Sequence, residues 1–403
     1  MPSTAEQMAS GYRAMLRNVE RANAEGCKMS AQVFTRPQGI LMCWEARSHP
    51  FTESATFDRI WRKSKDPSTG MFRGKSDLWR VPGLREKIVE EALTLARASS
   101  NTGYYGMVLP QSTDDDGPGN LNANVTSPGA LARMFLDNAK FVFKYTSTYE
   151  PKPDESASAE ALARGTTPLH VIYDWMCEEE GTRVVTYLMM GYAKRNLEEL
   201  KEQLLHPNAV PGLGDTGAHV GFLTDPTSPS YLLTHWHRDR GTFPLEFVVR
   251  LHTSETAKIF SLDDRGTIEV GKIADLNVIN LEKLRIHPPQ FVRDLPQNAG
   301  RWVQSASGYD FTIKTGVITF ENGVPTGRLP GRLLNGPGYI GKTAGTTNAN
   351  SKMVVKSPSA WYTLKWEAEQ KVLEGLLRIV GAERLERFGA FLNDRMPLTA
   401  SRL

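Results

Sequence analysis

The stretch Gly212-Leu-Gly-Asp215-Thr-Gly-Ala-His219-Val-Gly221 decides how this chain is read. A short apolar run, Ala209-Val-Pro-Gly-Leu213, leads into an aspartate, and a glycine-rich turn carrying a histidine follows. A parallel strand that ends on a carboxylate and then turns sharply away is the arrangement by which a β/α barrel presents chemistry at the C-terminal ends of its strands. Asp215 is therefore the first candidate: a carboxylate placed there can bind a metal and exchange a proton with water. Asp before Thr-Gly is also ordinary turn chemistry. His219, in the same turn, is a candidate for contacting substrate or for positioning Asp215.

Upstream, strand and helix patterns alternate as a parallel barrel requires. Thr182–Met190 is almost continuously apolar, as expected of a strand covered on both faces. Leu197–Leu205 reads as a helix and 209–215 as the strand that delivers Asp215. Further back, residues 5–25 carry an apolar stripe of helical period that Gly26 stops, and 28–34 reads as a strand ended by Thr35-Arg36-Pro37. Helices are expected over 57–65, 83–99 and 168–179, a loop over 110–130 and a strand over 141–145. Gln32 and Arg36 flank the end of the first visible strand. In a barrel that end faces the active site, so both are candidate substrate contacts, Arg36 as a partner for a substrate carboxylate. A capping arginine before proline is the plainer alternative.

Downstream, Tyr231–Arg240 and Pro244–Phe260 read as helices. His235-Trp236-His237 therefore does not read as a metal site, because residues two apart on a helix point about 200° from each other. From about Arg265 the pattern becomes β: Leu276–Ile279, then a hairpin within Phe311–Val324 with turns at Gly316 and Asn322-Gly323. Residues 342–352 are a small-residue linker, and Trp361–Phe391 has an amphipathic stripe expected to pack as a helix. The expected division is 1–264, 265–341 and 342–403.

With 403 residues, 40% hydrophobic content and a net charge of +3, the composition is that of a globular chain with no bias toward nucleic acid or an anionic membrane. The N-terminus lacks a signal-peptide pattern. Cys27, Cys43 and Cys177 read as buried free thiols of a reducing compartment. A cytoplasmic location is expected. The alternative is peroxisomal, through the C-terminal Ser401-Arg402-Leu403.

The motif around Asp215, together with Gly266-Thr-Ile-Glu-Val-Gly-Lys-Ile-Ala-Asp275-Leu-Asn-Val-Ile279, Ala31-Gln-Val33, His49-Pro-Phe51, Tyr231-Leu-Leu-Thr-His235 and Arg238-Asp-Arg240, resembles the C-terminal two-thirds of amidohydrolase family 3, the N-acyl-D-amino-acid deacylase group. The resemblance implies an α/β fold: a partial (β/α)8 TIM-like metal-dependent hydrolase barrel, a small β-sandwich subdomain and, here, a C-terminal helical tail. It implies zinc, hydrolysis of a linear amide such as an N-acyl amino acid, and Asp215 as acid/base and metal contact. The family's His-x-His on the first barrel strand has no counterpart at the matching place. A non-catalytic fragment that associates with its own copies or with a missing N-terminal half is the competing expectation.

Overall fold

The computed structural model describes residues 4–334, apart from Arg47, Pro67, Gly70, 100–127, Ser147, Leu213, Asp215 and Thr216. The loop expected at 110–130, the tail helix at 361–391, the C-terminal tripeptide and Asp215 thus fall wholly or largely outside the described residues. The chain divides into two units, 1–331 and 332–403, and the architecture below is that of the first.

A long helix, Thr4–Ala24, precedes β1 (Ala31–Val33) and β2 (Gln38–Met42). Gly26, in left-handed backbone, marks where that helix is released. Helices Ala55–Ser64 and Leu84–Ala98 follow, the first opened by Ser54, whose hydroxyl accepts from the Phe57 amide at 3.1 Å. Then come β3 (Val142–Lys144), the helices Ala157–Arg164 and Pro168–Gly181, β4 (Val185–Met190), helix Glu198–Leu205 and β5 (Ala209–Pro211).

These strands form two sheets. β1 and β5 pair in parallel, with Ala31 opposite Ala209 and Val33 opposite Pro211. β2, β4 and β3 form a separate sheet in that order, and both of its pairings are antiparallel. The expected parallel alternation through 182–190 is therefore corrected: β4 is covered on both faces, as its apolar run requires, but it runs against both neighbours. Burial on two faces fixes apolar content and says nothing of strand direction. Among the described residues the fold is mixed α/β and no barrel closes. β2 approaches β4 so closely that a Cβ at Gly39 would meet the Tyr187 carbonyl.

One apolar core joins these sheets and helices. At its centre the fully buried Trp44 has the rings of His49, Phe51, Phe57 and Tyr173 at centroid distances of 5.3, 5.6, 5.5 and 5.0 Å. Such edge and tilted contacts add to the apolar area each ring removes from water.

The C-terminal part of this unit is β-rich, as its sequence pattern indicates. It contains β6 (Leu276–Ile279), β7 (Arg285–Ile286), β8 (Gln290–Leu295), β9 (Ala299–Val303), β10 (Ala306–Ser307), β11 (Tyr309–Lys314), β12 (Val317–Glu321) and β13 (Val324–Pro325). A four-stranded sheet has the order β13-β12-β11-β6, and β8–β9 is a separate hairpin. Asp275, from the second quoted motif, ties this sheet together: its carboxylate accepts from Lys314 Nζ at 2.7 Å, Arg265 Nη1 at 2.8 Å and the Thr315 amide at 2.8 Å.

The thiols depart from expectation at one position. Cys43 is buried and Cys177 half-buried, but Cys27, which follows the helix end at Gly26, is exposed. Burial pushes the thiols of Cys43 and Cys177 up to about 12, so neither forms thiolate near neutral pH. A thiol-reactive disulfide reagent at pH 7 is expected to label Cys27 rapidly and the other two only on unfolding. Any fast-reacting thiol in a Cys27→Ser chain would contradict this packing.

Candidate functional site

The glycine-rich stretch leaves β5 immediately after its pairing with β1. The Gly212 amide donates to the Val33 carbonyl at 3.0 Å, so the ladder extends to the first residue of the turn. Gly212 packs against the side chain of Gln32, which is exposed on β1. Gln32 and the turn are thus adjacent.

The turn itself is sharp. Gly217 has φ +95° and His219 has φ +50°. A left-handed histidine is uncommon and marks a locally constrained backbone. The His219 carbonyl accepts from the amides of Phe222 and Leu223 at 3.0 and 3.2 Å, closing the turn, while its exposed imidazole lies 5.4 Å from the Phe222 ring. Asp215 lies outside the described residues. The segment after the turn is pinned on two sides: the Leu41 amide donates to the Phe222 carbonyl and the Trp302 amide to the Val220 carbonyl, each at 2.7 Å. A cleft of about 280 Å³ opens beside it, lined by Gly221, Phe222, Glu45, Trp61, Lys65 and Arg293.

Arg36 does not face this cleft. Its side chain is 1% exposed, and Nη2 lies 2.6 Å from Asp225 Oδ1. Nη1 donates to the Pro37 carbonyl at 3.0 Å and Nη2 to the Thr224 carbonyl at 3.0 Å, while the guanidinium carbon lies 3.7 Å from the Tyr149 ring centroid. Instead of a substrate carboxylate, Arg36 holds an internal one. Nearby, the Thr35 hydroxyl donates to the Ser228 carbonyl at 2.8 Å and Trp236 Nε1 donates to the Thr35 carbonyl at 2.7 Å. The loop after the turn is therefore bolted to the end of β1. The turn is held at its start by the β1–β5 ladder and at its end by Arg36–Asp225.

The histidine pair behaves as its helical setting demands. His235 and His237 lie in a π-helical segment, Leu232–Asp239. His235 Nε2 lies 2.9 Å from Glu150 Oε2, and His237 Nδ1 lies 2.9 Å from the Phe243 carbonyl oxygen. Glu150 also receives Arg240 Nη1 at 2.9 Å. Burial pushes the Glu150 carboxyl up, but the His235 bond and the Arg240 charge outweigh it and hold the group below the ordinary carboxylate range.

Among the described residues no three His, Cys, Asp or Glu side chains converge as a metal site. A catalytic zinc takes about three protein ligands and an open position. The described residues do not fit that ion, since the histidines nearest the turn are exposed or already bonded elsewhere. Also among the described residues, no helix is long and apolar enough to cross a membrane.

Sequence reasoning did not find Asp225 as the partner of Arg36, Glu150 as the partner of His235 and Arg240, or the Glu45–Arg293 pair at 2.9 Å. Each joins residues far apart in the chain, and no local spacing carries such a signal.

Among solved structures, the chain is similar to a D-aminoacylase variant in complex with copper chloride, at 22% identity and a TM-score of 0.27, covering 48% of this chain and 37% of that one. It is also similar to a D-aminoacylase structure described in terms of its binuclear metal centre, with one-metal activation and second-metal attenuation, and to one described as defining a novel subset of amidohydrolases. Each of these is 23% identical with a TM-score of 0.28, covering 46% of this chain and 36% of the other. The chain thus spans little more than a third of the length of these structures. No curated protein matches it. The family model described as the amidohydrolase family matches residues 133–320, which take in β3 to β5, the turn, the histidine-bearing π-helix and most of the β-rich part, into β12. Over those residues the chain carries the sequence pattern of the amidohydrolase family.

Proposed function

We propose that this chain serves an amidohydrolase-type reaction, hydrolysis of a linear amide C–N bond in a small molecule of the N-acyl-D-amino-acid class. The observation that carries this reading is the coincidence of the family match at 133–320 with the constrained turn 212–221 at the end of a strand in parallel pairing. In this reading the TIM-like frame is the one the family pattern implies, and β1–β5 is its visible parallel ladder. Asp215 is the proton carrier, taking a proton from the attacking water and returning it to the leaving amine, with His219 and Gln32 on the substrate side of the same turn. The described residues do not gather a zinc site.

Purified chain is assayed for amine release from N-acetyl-D-amino acids, with elemental analysis of the same sample. Asp215→Ala is expected to lower amine release by about 100-fold or more while leaving the thermal melt unchanged. Equal activity in parent and variant would overturn the assignment. A protein that works through association without catalysis is the alternative outcome of this test: a metal-free, inactive chain that elutes as a stable oligomer on sizing.

A further inference from the structure

Helix Ala55–Ser64 and the chain that follows it concentrate positive charge. Residues 58–75 hold Arg59, Arg62, Lys63, Lys65, Arg73 and Lys75 against Asp58 and Asp66 alone, an excess of four charges, whereas the whole chain carries +3. The helix buries Thr56, Phe57 and Trp61, so Arg59, Arg62 and Lys63 stand on its outer face. The chain then doubles back. Lys65 bridges Phe72 in antiparallel pairing, the Trp61 and Phe72 rings lie 5.0 Å apart, and a Cβ at Gly74 would meet the Ser64 hydroxyl. Arg73 and Lys75 are thereby brought beside the C-terminal end of the helix, and the six cations share one patch. Both aspartates are engaged within it: Arg62 Nε lies 2.6 Å from Asp58 Oδ2, and Asp66 pairs with Arg73. Among the described residues no carboxylate pairs with Arg59, Lys63, Lys65 or Lys75.

This patch borders the cleft beside the turn. Trp61 and Lys65 line that opening of about 280 Å³ together with Gly221 and Phe222, and Lys75 lines a neighbouring opening of about 650 Å³. The two openings share Glu45, Phe291 and Arg293 as a common wall, so they adjoin. Apart from Lys65 and Lys75, the charged groups of their lining are Glu45 and Arg293, which neutralise each other across 2.9 Å. The net field at the entrance is therefore that of the basic patch. It acts at a distance, over about 10 Å at 0.1 M salt, whichever way each side chain points. A field of one sign over a cleft raises the local concentration of oppositely charged ligands and their rate of entry.

We propose that segment 58–75 is an electrostatic collar that makes the cleft beside the turn select anionic over neutral small molecules. The proposal rests on the reading of that cleft as the substrate site and adds the substrate's charge, a free carboxylate on the amide to be cut. Arg59 and Lys63 determine specificity without lining either opening.

The test is calorimetric titration of the full chain with N-acetyl-D-phenylalanine and with its neutral counterpart N-acetyl-D-phenylalaninamide, at about 20 and about 300 mM salt. The acid is expected to bind about three- to fivefold tighter at the lower salt, and the amide equally at both. Arg59→Gln with Lys63→Gln removes two exposed cations, and glutamine is well tolerated in helices. This pair is expected to take away about half of the salt effect on a logarithmic scale. Adding Lys65→Gln and Lys75→Gln is expected to abolish it, with binding of the amide unchanged. Lack of saturable binding of the acid, an acid affinity independent of salt in the parent, or a salt effect that survives all four substitutions would each overturn the proposal. Amine release is followed on the same samples. Salt-dependent binding without hydrolysis removes the reaction and leaves the collar. Hydrolysis of acid and amide at equal kcat/KM, without salt dependence, removes the collar and leaves the reaction.

Discussion

Replacing Arg36 by methionine is expected to lower the stability of the chain by about 3–5 kcal/mol, the usual cost of removing one partner of a buried ion pair. The Asp225 side chain is 3% exposed, and without the guanidinium its charge sits in a low-dielectric interior beside Tyr149. The Thr224 and Pro37 carbonyls also lose their donors. The effect should be largely reversed in Arg36→Met combined with Asp225→Asn, because removing both charges together removes the desolvation penalty with the attraction. Urea denaturation of the parent, the two single variants and the double variant measures this directly. If the single Arg36 variant unfolds at the parental midpoint, the pair is not the clamp described above.

The second large effect is expected at Trp44. Trp44→Ala should cost about 3–5 kcal/mol, the range for deleting a fully buried aromatic side chain. Four rings converge on Trp44 from the segment after β2, from helix Ala55–Ser64 and from helix Pro168–Gly181, so the void cannot close by moving one element. Trp44→Phe should recover more than half of the loss. A Trp44→Ala chain with a urea midpoint within about 1 kcal/mol of the parent would show that the cluster relaxes into the space, as cores do only when their walls are mobile.

Much of the element pattern was legible in the sequence, because local periodicity and turn chemistry generate it. The helix ending before Gly26, the doubly covered strand at 185–190, the helical setting of His235 and His237, and the hairpin turning at Gly316 all follow from neighbours a few residues apart. Strand direction was not legible. The apolar run of β4 suits a parallel or an antiparallel sheet equally, and the partner that decides it, β2, is a short apolar stretch after Pro37 with no strand-like alternation. The candidate site divides in the same way. The turn 212–221 announces itself through its glycines and its aspartate, but its contact with Gln32 depends on the β1–β5 pairing, which no local spacing reveals. The fate of Arg36 depended on Asp225, which no spacing rule connects to it.

The β1–β5 ladder and the Arg36 clamp also bear on the order in which the chain folds. Arg36 meets the Thr224 carbonyl across 188 positions of sequence, and β1 meets β5 over a similar span. Closing so long a loop carries an entropic cost before any contact rewards it, and such non-local pairings slow folding. The helices and the β2–β4–β3 sheet that lie between these positions must largely assemble first, bringing the two ends of the span together. The turn that carries Asp215 and His219 therefore acquires its shape late. Misfolding anywhere in the intervening segment would be felt first as loss of the site, before loss of the helices around it.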